Sequence, residues 1–182
     1  MVSMPTTLRT HGWTRAELAE LPDDGLRYEI IDGELFVSAA PSIAHQTILG
    51  NLHLVMRAAC PAELKVLFAP TAVGLADDTE VQPDLLVAPR SQFTHKDLPG
   101  PPLLAVEILS PSTRRTDRAR KFERYQRAGI ASYWIIDPHG PTFQAWELRD
   151  TGYELVADLD PDSTWTATAP FEVEITPSAL AD

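Results

Sequence analysis

Apolar positions along the chain change period several times, and each change marks an element. From Ser42 to Ala59, SIAHQTILGNLHLVMRAA sets Ile43, Ile48, Leu49, Leu52, Val55, Met56 and Ala59 at helical spacing, with Ser42 as the cap. LKVLFAPTAVGLA then predicts a strand or a bent strand pair, and VQPDLLVAP and PLLAVEIL predict two further strands separated by a loop with Pro and Gly. A helix is expected from Thr116 to Ala128, ended by Gly129, followed by the buried strand ASYWIIDP, which Pro138 closes. Ahead of this core, TRAELAEL carries Thr14 and Glu17 at capping-box spacing, and RYEIIDGELFVSAA predicts a hairpin of Arg27 to Ile31 and Glu34 to Ala39 turning at Asp32-Gly33. TFQAWELR, GYELVADL and FEVEI predict a C-terminal run of antiparallel strands. The order helix, three strands, helix, strand implies an α/β (α+β) layer, a mixed central sheet flanked by helices. No internal repeat or linker divides residues 1–182, so a single domain is expected.

Composition changes the picture in one respect. The chain of 182 residues is 44% hydrophobic and 23% charged, ordinary for a folded protein, but its formal net charge is -11. Such acidity argues against general coating of nucleic acid, whose affinity comes from Lys and Arg neutralising phosphates. Yet seven of the fifteen Lys and Arg residues fall between Arg114 and Arg127. The lone Cys60 allows no internal disulfide, the opening residues have no apolar core of signal-peptide length, and no stretch approaches a membrane span. A cytoplasmic protein without a membrane partner is expected.

Glu107 is the strongest chemical signal, because LLAVEIL is otherwise wholly apolar and should be covered on both faces. A carboxylate there must pair, coordinate a metal, sit at an open strand end or take up a proton. Asp84 carries the same oddity at the start of the strand that follows Pro83. If the two strands are antiparallel neighbours, Asp84 and Glu107 face each other, and a hard cation such as Mg²⁺ between them would offset their repulsion.

On a wheel of about 100° per residue, Ala119, Phe122, Tyr125 and Gly129 form the inner stripe of the basic helix. Arg120, Arg124 and Arg127 point away into solvent, with Glu123 placed to pair with Arg127. Lys121 flanks the inner stripe on the side of Asp117 and Tyr125. A lysine there can orient or help deprotonate a metal-bound water and stabilise a phosphorane-like transition state; alternatively it snorkels over the sheet with Asp117 as its partner.

The stretches YEIIDGEL, PSIAHQ, PDLLV and VEILSPSTRRTDRARKFERYQRAGIASYWIIDP, spread from Tyr28 to Pro138, resemble the Uma-type family of restriction endonucleases in the PD-(D/E)XK nuclease superfamily. The resemblance implies a restriction-endonuclease-like core over about residues 42–138, with an N-terminal hairpin and a C-terminal antiparallel extension. It implies Mg²⁺-dependent hydrolysis of DNA phosphodiester bonds, with Mn²⁺ able to substitute, and Asp84 and Glu107 as the motif acids. The motif lysine two residues after the acid is replaced by Leu109, and the resemblance moves its role to Lys121. Glu29 matches a position that can add a metal contact, and His45 one that can hold a water or contact a phosphate. Tyr125 would pack with its polar tip near the site, Ser110, Ser112 and Asp117 would shape the turn into the helix, and Arg114, Arg115 and Arg118 would hold phosphates. A homodimer would present two sites to two strands. The other reading is a non-catalytic protein that keeps the nuclease fold as a binding or interaction module.

Overall fold

The computed structural model describes residues 11–22, 24–110 and 116–182; at residues 116–118 it describes the backbone alone. The first helix, α1 (Arg15–Leu18), is a single turn closed by the expected capping box: Thr14 N donates to Glu17 Oε2 at 2.9 Å, and Glu17 N donates to Thr14 Oγ1 at 3.4 Å. The hairpin of β1 (Arg27–Ile31) and β2 (Glu34–Ser38) turns at Asp32 and Gly33, with φ of 51° and 77°. Two successive left-handed residues match the twist of the flanking strands, which is why Asp-Gly signals this turn.

The long helix α2 (Ile43–Ala59) begins where expected, with Ser42 Oγ accepting from His45 N at 3.2 Å. Then follow β3 (Leu64–Phe68), β4 (Val73–Ala76), β5 (Thr79–Val81), β6 (Leu85–Pro89), β7 (Leu98–Pro99) and β8 (Leu104–Ile108). A π-helical turn, Thr116–Lys121, leads into α3 (Phe122–Ala128), and Gly129 ends it at φ 79°. The chain closes with β9 (Ser132–Asp137), β10 (Thr142–Arg149), β11 (Gly152–Leu159), β12 (Trp165–Ala167), β13 (Val173–Ile175) and α4 (Pro177–Ala181).

Six strands form the central sheet in the order β11-β10-β9-β8-β6-β3, with β8 and β9 parallel and the remaining neighbours antiparallel. The mixed sheet expected from the chain order is therefore present. Leu85 and Val87 join a core with Leu52 and Met56 of α2, whereas Leu86 and Ala88 join one with Val73, Val81 and Tyr125. Alternating residues of β6 thus reach two apolar layers, and the strand reads as an unbroken apolar run because neither face meets water. β8 repeats this: Val106 and Ile108 belong to the first core, Ala105 and Leu109 to the second, so Glu107 falls with the second.

The second layer was incompletely expected. LKVLFAPTAVGLA does make two strands, but β3 edges the central sheet while β4 enters a smaller sheet ordered β2-β1-β5-β4-β7. This sheet recruits the N-terminal hairpin and shares the face covered by α3. Of the C-terminal strands, β10 and β11 extend the central sheet, whereas β13 pairs with β12 apart from it. Among the described residues no helix is long and apolar enough to cross a membrane.

Candidate active site

Antiparallel pairing of β6 and β8 sets Leu85 opposite Val106, which brings Asp84, one residue before, beside Glu107, one residue after. Asp84 also fastens the strand end: its Oδ2 accepts from Ile108 N at 2.8 Å and lies 3.1 Å from His45 Nε2. Ser42 begins α2 and so sets His45 one turn inside it, within reach of the strand that Pro83 opens.

From α3 and the turn before it, Lys121 reaches Glu107. Its Nζ donates to Oε1 and Oε2 of Glu107, each at 3.0 Å, and lies 3.1 Å from Glu29 Oε1. Tyr125, four residues on and on the same helical side, donates its hydroxyl to Glu107 Oε1 at 2.7 Å. Lys121 and Glu107 are 2% and 1% exposed, so this is a lysine buried on carboxylates rather than one snorkelling to water. Glu29, also buried, accepts from Gln82 N at 2.7 Å and helps to hold Lys121 from β1.

Several expectations for the basic helix fail. Ala119 and Gly129, assigned to the inner stripe, are exposed, because the π-helical turn at Ala119 does not follow the 100° wheel and Gly129 leaves the helix in a left-handed conformation. Arg124, assigned to solvent, is buried: its Nε donates to Thr79 Oγ1 at 3.2 Å and lies 3.4 Å from Asp32 Oδ1. The reason is the smaller sheet, whose β5 and hairpin turn cover that side of α3. Arg120 and Arg127 are exposed as expected, but they pair with Glu34 and Asp32, and Arg127 makes its ion pair there instead of with Glu123. Arg114, Arg115 and Ser112, and the side chains of Asp117 and Arg118, lie outside the described residues.

Arg27 is the site residue that the sequence reading missed. Its Nη1 donates to Asp84 Oδ1 at 2.9 Å, and its Nη2 approaches Glu29 Oε2 at 3.4 Å and donates to the Gln82 carbonyl. The signal was available: Arg27 and Glu29 stand two apart in a strand and therefore share a face. Asp84, Glu107, Arg27, His45 and Gln82 line one cleft of about 890 Å³, bordered by the loop after β2 and by α2. Lys121, Glu29 and Tyr125 stand behind Glu107 and are not part of the lining.

The charges in this cluster reinforce one another. Burial works against an ionised Asp84, but the His45 hydrogen bond and the charges of Arg27, His45 and Lys121 outweigh it and hold the carboxyl at about 2. Burial also opposes a charged His45, yet its bond to Asp84 raises its pKa above the ordinary imidazole value. Burial and the negative charges of Glu107 and Glu29 push the Tyr125 hydroxyl well up, so it remains a donor. Arg27 is likewise raised, because Glu29, Asp84 and Glu107 overcome the cost of burying the guanidinium.

A family model described as "Putative restriction endonuclease", Uma2, matches residues 15–181. The chain belongs to this family. No curated protein matches it. Among solved structures, a crystal structure of "a putative nuclease belonging to DUF820" from Anabaena variabilis is similar over 92% of this chain and 97% of that chain, with 19% identity and a TM-score of 0.73. At that identity the likeness shows the fold, a mixed sheet with flanking helices shared with a structure described as a nuclease.

The nuclease superfamily that the sequence resembles implies a divalent cation, and the donor set can be tested against one. Among the described residues no group of three or more His, Cys, Asp and Glu side chains could hold a metal ion. Mg²⁺ does not require such a cage: it keeps several waters and is bound through one or two carboxylates together with substrate phosphate. Asp84 and Glu107 supply two hard oxygen donors on neighbouring strands at the cleft, and Asp84 is fully ionised near neutral pH. The residues therefore fit a Mg²⁺ ion that shares its shell with water and phosphate.

Proposed function

We propose that the protein is a metal-dependent endonuclease that hydrolyses phosphodiester bonds of DNA at the cleft lined by Asp84 and Glu107. The observation that carries this reading is the juxtaposition of those carboxylates with a buried lysine whose Nζ contacts both oxygens of Glu107. Mg²⁺ held by Asp84 and Glu107, or Mn²⁺ in its place, would polarise the phosphate and activate the attacking water. Lys121 orients the Glu107 carboxylate from behind the cleft, and its buried charge adds to the positive field at the phosphate that gains negative charge in the transition state. Tyr125 fixes one oxygen of Glu107, and Glu29 holds Lys121, so both act through a neighbouring side chain. His45 holds Asp84 from the first turn of α2, an end of a helix that suits a phosphate.

A second reading, a binding module without catalysis, is favoured by one specific observation. The carboxylates are not left repelling each other: Arg27, His45 and Lys121 already offset their charge, so the fold does not need a metal for electrostatic reasons. Incubation of plasmid and of single-stranded DNA with Mg²⁺ or Mn²⁺ separates the two readings. We expect cutting that a chelator abolishes and that Lys121→Ala lowers about 100-fold, the scale of losing one transition-state stabilising group. DNA binding without cutting under either metal would favour the module.

A further inference from the structure

Arg27 stands where a cation bound to Asp84 would have to approach. Oδ2 of Asp84 is occupied by Ile108 N at 2.8 Å and His45 Nε2 at 3.1 Å, so the oxygen left for a cation is Oδ1, which Arg27 Nη1 holds at 2.9 Å. Among the described residues lining the cleft, Arg27 is the one Lys or Arg. Its side chain is 25% exposed there, unlike those of Asp84 and Glu29, at 5% and 4%. Its guanidinium is also incompletely satisfied, because the buried Nε has no hydrogen-bond partner. A buried N–H without an acceptor is unfavourable, and a group held in that way is suited to exchanging one anion for another.

We infer that Arg27 is an exchangeable counter-ion: it holds Asp84 in the nucleic-acid-free protein and turns to a phosphate in the cleft when the substrate binds, releasing Oδ1 to the metal. This rests on the carboxylate metal site proposed above. The planar guanidinium fork suits phosphate as well as carboxylate, so the exchange replaces one charge-assisted pair by another. A cation arriving before phosphate meets a positive charge already seated on its ligand, and a cation arriving with phosphate does not. Metal and phosphodiester therefore bind with positive linkage, and each must strengthen the other by the same factor. The device would keep an acidic protein from loading metal until a phosphate chain is in place.

Calorimetric titration with Mn²⁺ tests the linkage independently of cleavage, on wild type and Arg27→Met, each with and without a short phosphorothioate DNA oligonucleotide. For wild type the oligonucleotide should tighten Mn²⁺ binding about 5- to 150-fold, the usual range of coupling between sites. Arg27→Met should bind Mn²⁺ alone about tenfold more tightly than wild type, and its gain from the oligonucleotide should be smaller than the wild-type gain by about that factor, what remains being direct ligation of the metal by phosphate. If both proteins bind Mn²⁺ with equal affinity and equal response to the oligonucleotide, Arg27 is a structural ion-pair residue, and the inference falls while the metal site stands. If neither binds under any condition, the metal site itself fails and the inference with it. Should Arg27→Met not fold, Arg27→Lys keeps a charge without the fork and should show an intermediate gain in Mn²⁺ affinity; an unchanged affinity overturns the inference.

Discussion

The two acids of the cleft are held from opposite sides. Glu107 is gripped from behind by Lys121 and Tyr125, both buried where α3 and the turn before it meet the two sheets, whereas Asp84 is held from the cleft side by Arg27 and His45. The partners behind Glu107 are locked by packing. Lys121 also contacts Glu29, and the Tyr125 ring sits edge-on to Tyr133 with centroids 5.2 Å apart. Arg27 by contrast borders open space and leaves a donor unmet. A fixed acid next to an exchangeable one is a useful arrangement: one carboxylate defines the position, and the other can change partner without disturbing the core.

The largest effect should come from breaking the locked side. Lys121→Met keeps most of the apolar volume but leaves Glu107 and Glu29 buried without the ammonium that faces both. Removing one member of a buried ion pair typically costs about 3 to 5 kcal/mol, so urea unfolding should show an unfolding free energy lower by that amount, with a correspondingly lower midpoint. A loss below about 1 kcal/mol, the range of exposed pairs, would mean that water or other groups replace the amine and that the Glu107 side is no more fixed than the Asp84 side.

Acid titration probes the other side. The pKa of Asp84 is depressed in the folded protein, to about 2, so its ion pairs stabilise the fold above the ordinary aspartate value and lose that contribution as pH falls through about 2. A shift of this size corresponds to roughly 2 to 3 kcal/mol near neutral pH. Asp84→Asn should therefore be less stable than wild type at pH 7, with the difference shrinking below about pH 4. Thermal unfolding over pH 2 to 7 reads this directly. A difference that does not change with pH would assign the loss to packing or to the Ile108 hydrogen bond instead of to charge.

The facing acids were legible because β6 and β8 are apolar runs, in which Asp84 and Glu107 have no packing reason to stand. Lys121 was legible from the side of the helix it shares with Tyr125. The resemblance, which implies the same lysine, agrees with that placement. Arg27 was not read as part of the site. A charge at the start of a hairpin strand is ordinary, and its meaning depends on β5 and Gln82 bringing the hairpin against the central sheet. The same unseen sheet misled the reading of Arg124: a helical wheel ranks sides of a helix, but it cannot count how many of those sides a neighbouring layer covers.

Arg120 and Arg124 of the basic helix provide the smallest and most discriminating perturbation. Arg120 and Arg124 are four residues apart, and the wheel gives them one environment; the structure leaves Arg120 exposed on Glu34 and over the Phe36 ring, and buries Arg124 against Thr79 and Asp32. An exposed pair contributes about 0 to 1 kcal/mol and weakens with salt. Arg120→Ala should therefore lower stability by less than about 1 kcal/mol, and added salt should remove most of that loss. Arg124→Ala removes a buried stem as well as a charge and takes from Thr79 Oγ1 one of its two donors, the other being Asp32 N, so its cost should be larger and change little with salt. Equal, salt-sensitive losses for both would place Arg124 in solvent and the smaller sheet away from α3. That outcome would also remove the packing that holds Lys121 and Tyr125 behind Glu107, and with it the contrast between the two acids.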